Sequence, residues 1–543
     1  MIRRHRQWRW AWISSLSLGV MALAGCGDGS KRGAGNEVPA RPFAGTKLKI
    51  GVIGNPALIA SIRAQRGEWS AATAAEPIVS DLPITPDQAA SHDVLVFPGE
   101  SLGDLVDRDL LLTWPESTIR PAVKSVEEDT PSGSPSAASS ASASSKEGAG
   151  PASASPDPFG YNDLVAAERD EVSKYGSDRV ALPIGASALV LVYRRSAFER
   201  ESNQVAAKAA GLTLTVPKTW EALDVVAKFL QGRDWSGEGK AGSAIALAWT
   251  NDGEGVADAT FLARAAALGS HRDQYSFLFD SDELKPRITQ PPFVEALERL
   301  VALAKLSPEG PKGLDIAAAR EAFRSGKTAL LIDRAEAVGQ WNSTPSTPIG
   351  VAPLPGSPRV FDPSRKDWET PTRPNQASYL PKGGGWLVAV LKTSANQAAA
   401  RDYAKSLAGP ETTNRLRGDK GFPMLPVRNS QLGQGIPDLR SAPGVDSQLW
   451  TDAVARTLYA PRVIPGLRIP EARSYLDDLS AGRRAALEGK PAAQALGQVA
   501  DAWNARTDRL GRDRQVWHYR RSLNKFVTSP EPPARPETSK ATP

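Results

Sequence analysis

Apolar and polar residues alternate through Lys47-Leu48-Lys49-Ile50-Gly51-Val52, which predicts a half-buried strand closed by the turn Gly54-Asn55-Pro56. A helical stretch over 57–71, a brief strand at Ile78-Val79-Ser80 and an apolar strand at Val94-Leu95-Val96-Phe97 follow. That succession of strands and helices predicts a parallel, doubly wound α/β sheet. Further along, 180–185 and 188–193 read as two short strands flanking Gly185-Ala186-Ser187. Thr219 stands as N-cap before an amphipathic helix that runs to Leu230. Strands are expected at 244–249 and 328–333, with helices at 261–268, 293–305 and 317–323. The triplet Gly383-Gly384-Gly385 opens the apolar strand Trp386-Leu387-Val388-Ala389-Val390-Leu391, and beyond it the pattern is mostly helical. A glycine-hinged strand with a large aromatic at its entrance suits a place where two lobes meet over a ligand; a core strand with a packing Trp is the plainer alternative.

Two segments break the pattern. From Pro131 to Pro158 the composition falls to Ser, Ala, Gly and Pro, with too little apolar surface to offset the entropy of ordering it. It reads as an insertion in a surface loop, since one fold continues on either side. At the N-terminus, a basic stretch and a short apolar run end in Leu23-Ala24-Gly25-Cys26. That is the layout of a signal peptide, too short for a comfortable membrane span, and the tetrapeptide resembles a bacterial lipobox with Cys26 as the lipidated residue. Cys26 is the single cysteine, which leaves no disulfide and no thiol chemistry. The net charge of +6 includes four arginines of the signal segment, so the mature chain carries about +2 and offers no electrostatic case for nucleic acid.

In this order the motifs resemble a known family, the extracellular solute-binding proteins of bacterial ABC importers, and in particular their maltose-binding-like group. The resemblance rests on Leu182-Pro183-Ile184 leading into Leu191-Val192-Tyr193, on Pro217-Lys218-Thr219-Trp220-Glu221-Ala222-Leu223, and on Ala322-Phe323-Arg324-Ser325-Gly326-Lys327-Thr328-Ala329-Leu330. Gly385-Trp386-Leu387-Val388 and the turn Gly421-Phe422-Pro423 with Arg428 complete it, over roughly residues 46–510. It implies a two-lobed periplasmic-binding-protein type II fold, with doubly wound sheets and a ligand cleft between the lobes. The implied division is a signal peptide at 1–25, a flexible tether at 26–45, a first lobe from 46–183 and 387–420 with the insertion at about 124–158, and a second lobe from 184–386 and 421–510. Residues 511–543 have no counterpart and are expected to be a largely disordered tail.

Ligands of open α/β sheets lie beyond the carboxyl ends of strands. Strand ends on this chain give Asn55, Glu100, Ser187, Trp249, Asp333 and Trp386, and the resemblance adds Tyr475 on a late helix. Carboxylates, an amide and a hydroxyl offer partners to sugar hydroxyls, and aromatic rings offer rigid apolar contact. Five have a structural alternative: Trp249 and Trp386 as core residues, Asn55 as a turn former, Asp333 as an ion-pair or cap residue, and Glu100 as an ordinary exposed residue after Pro98-Gly99. Catalysis finds little support, since His92, His271 and His518 show no metal-ligand spacing and no nucleophile motif is present. The expectation is a monomeric, exported protein without cofactor or metal, held to a membrane by its lipid, that captures a sugar-like solute for ABC permease subunits. A repurposed structural or sensory lipoprotein is the alternative, with an envelope hydrolase behind it.

Overall fold

The apolar runs assemble two mixed sheets, each covered by helices. A computed structural model describes residues 41–119, 157, 159–250, 253–308, 310–341, 348–436 and 442–536. The signal segment, Cys26, the tether up to residue 40, the insertion from 124 to 158 apart from Asp157, and the last seven residues lie outside the described residues.

Strands β1 (Lys47–Val52), β2 (Glu76–Val79) and β3 (Val94–Pro98) run parallel in the order β2-β1-β3. Two small strands, β4 (Lys174–Tyr175) and β5 (Asp178–Arg179), form a hairpin ahead of β6 (Leu182–Ala186). The chain then crosses at Ser187-Ala188 into β7 (Leu189–Arg194), β8 (Ser243–Ala246), β9 (Thr328–Arg334) and β10 (Ile349–Pro353), a second sheet in the order β10-β7-β9-β8. A hairpin of β11 (Val360–Asp362) and β12 (Asp367–Glu369) precedes β13 (Ala377–Leu380). After a turn at Pro381–Gly384 the chain returns as β14 (Gly385–Val390), which slots antiparallel between β3 and β6. The last strand, β15 (Arg462–Pro465), pairs with β13. The first sheet is therefore parallel only in its β2-β1-β3 part; β14 enters from the other lobe and must run the opposite way.

This register corrects the expected lobe boundaries by a few residues. Ile184 to Ala186, Gly385 and Trp386, which the expected division places in the second lobe, are strand residues of the first sheet. The crossings fall at 187–188 and 381–384. A larger correction concerns the C-terminus. In place of a disordered tail after residue 510, the helix Arg512–Ser522 is packed on both lobes, and residues up to Pro536 are described. The sequence hid this helix because its apolar residues are few and point two ways. Trp517 joins the first-lobe cluster of Leu95, Phe97, Leu102 and Leu105, while Tyr519 joins the second-lobe core.

The turn at 381–384 packs closely against the loop that follows β3. Lys382 and Gly383 both adopt left-handed backbone, with φ of 57° and 69°. A Cβ on Gly383 would lie 2.2 Å from the Glu100 amide nitrogen and 2.3 Å from the Gly99 carbonyl carbon. Gly383→Ala is therefore expected to lower stability by roughly 1–3 kcal/mol and drop the melting temperature by several degrees. Gly239→Ala, also at positive φ but with open space around its Cβ, serves as control and should cost clearly less.

Candidate functional site

Strand ends and crossings bring charged groups together between the lobes. The loop after β3 supplies Glu100, and the left-handed turn before β14 supplies Lys382. The ammonium of Lys382 lies 3.6 Å from the Glu100 carboxylate and donates to the Gly253 carbonyl at 2.6 Å, so one side chain joins the two lobes. Beside Gly253, the Glu254 carboxylate accepts from Arg334 at 2.6 Å and from both terminal nitrogens of Arg320 at 2.9 and 2.7 Å. Arg320 also grips Asp333 through two bonds of 2.7 and 2.9 Å, and Trp341 Nε1 donates to the same carboxylate. Arg334 lies 3.5 Å from Glu336, whose Oε1 accepts from the Ser187 hydroxyl at 2.5 Å. The Ser187 amide donates to the Gly384 carbonyl at 3.2 Å, which brings the chain of contacts back to the turn that holds Lys382.

Burial and charge act in opposite directions across this ring. Desolvation raises the pKa of Glu336, and Arg334, Ser187 and the backbone amides of Glu336 and Ala188 only partly offset it. Burial works against the charge on Arg320, but the carboxylates of Asp333 and Glu254 outweigh it and hold the guanidinium charged. For Glu254 the sum of the two arginines also exceeds the effect of burial, and its pKa is lowered. Two atoms of the ring, Glu336 Oε2 and Arg334 Nε, are buried without a hydrogen-bond partner among the described residues, an arrangement that native proteins keep rare.

The seven residues singled out from sequence divide on inspection. Glu100, Ser187 and Asp333 belong to the ring, although Asp333 is fully buried and its carboxylate is occupied by Arg320, Trp341 and its own neighbour's amide. Trp386 is 6% exposed in the first-lobe core, edge-on to Phe422 at 5.0 Å, one residue past Gly385 at the mouth of the crossing. Asn55 caps the helix Pro56–Ala64, accepting from the Leu58 amide at 2.9 Å. Trp249 lies in the second-lobe core with the Arg483 guanidinium 5.6 Å from its ring. Tyr475 is fully buried among Phe279 and Trp503, with its hydroxyl 2.9 Å from Thr507 Oγ1. Sequence reasoning passed over Lys382, Glu254, Arg320, Arg334 and Glu336. Arg334 and Glu336 follow directly on the strand end at Asp333, and Lys382 directly precedes the glycine triplet, so proximity to those marks was the available signal.

Open cavities occur elsewhere. A groove of about 510 Å³ runs along β15 past Asp170, Tyr275 and Tyr459, and another of about 800 Å³ lies on the second lobe between Val216 and Leu449. Neither is lined by any of the seven predicted residues. Among the described residues no group of three or more His, Cys, Asp or Glu side chains could hold a metal ion.

The profile of the bacterial extracellular solute-binding proteins matches residues 89–414, more than half of the chain. This chain belongs to that family. Solved structures of the family's fold align over most of this solute-binding protein. A ribitol complex of an ABC transporter solute-binding protein from Agrobacterium radiobacter K84 is 19% identical, covers 86% of this chain and 99% of its own, and has a TM-score of 0.56. An α-D-tagatose complex from Thermotoga lettingae TMO gives 16% identity, 85% and 99% coverage and 0.55. The maltose-bound MalE3 of T. maritima gives 17%, the same coverages and 0.54. No curated protein matches the chain in sequence. At these identities the structural likeness establishes the two-lobed fold.

Proposed function

We propose that this solute-binding protein captures a polyhydroxylated solute, a sugar or polyol, between its lobes and delivers it to an ABC importer. It would be held to the membrane by a lipid on Cys26. The observation that carries the reading is the buried, unpartnered Glu336 Oε2 beside the Ser187 hydroxyl, at the point where the chain crosses between lobes. A solute hydroxyl would complete it, and exchange of Lys382 from Gly253 to the solute would couple binding to lobe movement. The ribitol, tagatose and maltose bound by proteins of like fold support the solute class. A binding role without catalysis accords with the family.

The test is a thermal-shift screen of the chain beginning after Cys26, against pentitols, ketohexoses, maltodextrins, amino acids and anions. A solute at 100 times its dissociation constant is expected to stabilise the fold by about 2.7 kcal/mol. Glu336→Ala should abolish that shift relative to its own ligand-free baseline. No shift with any polyhydroxylated compound would overturn the proposal. The second reading, an envelope lipoprotein that kept the fold without transport, draws support from the C-terminal helix that joins both lobes, and it would then take precedence.

A further inference from the structure

The helix Arg512–Ser522 touches both lobes through different sides, and it does so with buried groups. Toward the first lobe, Trp517 is 7% exposed against Leu102 and Leu105, and its indole donates to the Ser529 carbonyl at 2.8 Å. His518 Nε2 lies 2.8 Å from Asp107 Oδ1, its Nδ1 lies 3.0 Å from the Tyr175 hydroxyl, and Arg514 donates to Asp107 Oδ1 at 2.6 Å. Arg535, from the segment that folds back over the helix, pairs with Asp107 as well. Arg521 adds a 2.6 Å bond to Asp178 and accepts from the Gly176 amide through its carbonyl.

Toward the second lobe the same helix buries Tyr519 edge-on to Phe279, with ring centroids 5.4 Å apart. Arg520 donates to the Ser281 carbonyl at 2.9 Å and pairs with Asp282, and Arg512 donates to the Glu283 carbonyl at 2.9 Å. The helix follows the helix Ala492–Leu510 after the single residue Gly511, so it has little slack at that end. A hinge rotation that parts the lobes must unseat either the Trp517–Asp107 side or the Tyr519–Asp282 side. Breaking the buried Asp107 pair by exposing one partner is costly, and so is withdrawing the buried Tyr519 from the second-lobe core.

We propose that this C-terminal helix, anchored in the second lobe by Tyr519 and by its one-residue link to the helix Ala492–Leu510, is a latch that fixes the angle between the lobes, with the Asp107 carboxylate as its first-lobe catch. The latch deepens the proposed solute capture, since lobe movement is what that capture needs, but its test requires no solute. Cys26→Ser removes the single cysteine. Ala64→Cys and Lys208→Cys, both exposed helix positions, then carry one spin label on each lobe.

Pulsed electron–electron double resonance on the ligand-free protein should give one narrow distance. Asp107→Ala should broaden it or add a second distance, and Arg514→Ala, which removes one of the helix's partners of Asp107, should do so less strongly. Circular dichroism melts identify any variant that has failed to fold, and Arg514→Ala then decides. An unchanged narrow distance in the folded latch variants, or a broad distribution already in the parent, would overturn the latch. Failure of the solute screen with a working latch would sink only the solute reading.

Discussion

Asp333→Ala is expected to cost about 3–5 kcal/mol of folding stability, the range for breaking a buried ion pair by removing one partner. The side chain is fully buried at the end of β9 and accepts from Arg320 twice, from Trp341 Nε1 and from the Arg334 amide. Its loss leaves the Arg320 guanidinium, itself nearly buried, with Glu254 and Gln340 alone. Trp341 would retain a buried indole N–H with no acceptor. Urea unfolding should place the variant far to the destabilised side, and Asp333→Asn between it and the parent, because the amide keeps one acceptor but loses the charge. A paired replacement, Asp333→Leu with Arg320→Met, should recover much of the loss. Equal stability of parent and Asp333→Ala would mean that the ring does not form in solution. The same change bears on the site, since Arg320 released from Asp333 would pull on Glu254 and hence on Arg334 and Glu336.

Much of this architecture was legible because it is local. The alternation at Leu48, Ile50 and Val52, the apolar run of β3 and the Thr219 cap each carry their signal within a few residues, and each is found where the pattern predicts it. The pairing of β13 with β15 joins segments some eighty residues apart, and nothing in either four-residue run announces the other. The helix after Gly511 failed for a different reason. A helix that buries Trp517 in one lobe and Tyr519 in the other has no single apolar stripe, and its arginines read as a solvated run. At the site, strand-end reasoning reached Glu100, Ser187 and Asp333 because sheet topology decides where strand ends converge. Trp249, from a strand end, and Tyr475, from the family resemblance, both lie in the core. Whether an aromatic faces a cleft or a core depends on helix packing that residue type does not encode.

The buried carboxyl of Glu168 should make stability fall as pH rises, and Glu168→Gln should remove that fall. Glu168 sits in the π-helical turn Ala167–Val172, fully buried, with neither oxygen hydrogen-bonded among the described residues. Desolvation pushes its pKa up to about 8 from the usual 4.5, and the buried Arg468 guanidinium only partly offsets that. Below pH 4.5 the acid is protonated in folded and unfolded chains alike, and its stabilising contribution is fully present. Between 4.5 and 8 the unfolded chain ionises while the folded one keeps its proton, so folding loses ground over that window. Above 8 the folded chain ionises too, and the loss levels off. The total is on the order of 4–5 kcal/mol. Other groups titrate over the same range, so the informative quantity is the difference between Glu168→Gln and the parent, read by urea unfolding at pH 5, 7 and 9. That difference should move by several kcal/mol in favour of the glutamine from pH 5 to 9. A constant difference would mean that Glu168 is ionised in the folded protein, paired with Arg468 through a rearranged turn. Because Arg468 also donates to the Ser522 carbonyl at the end of the latch helix, such a rearrangement would draw on the contacts that hold the two lobes together.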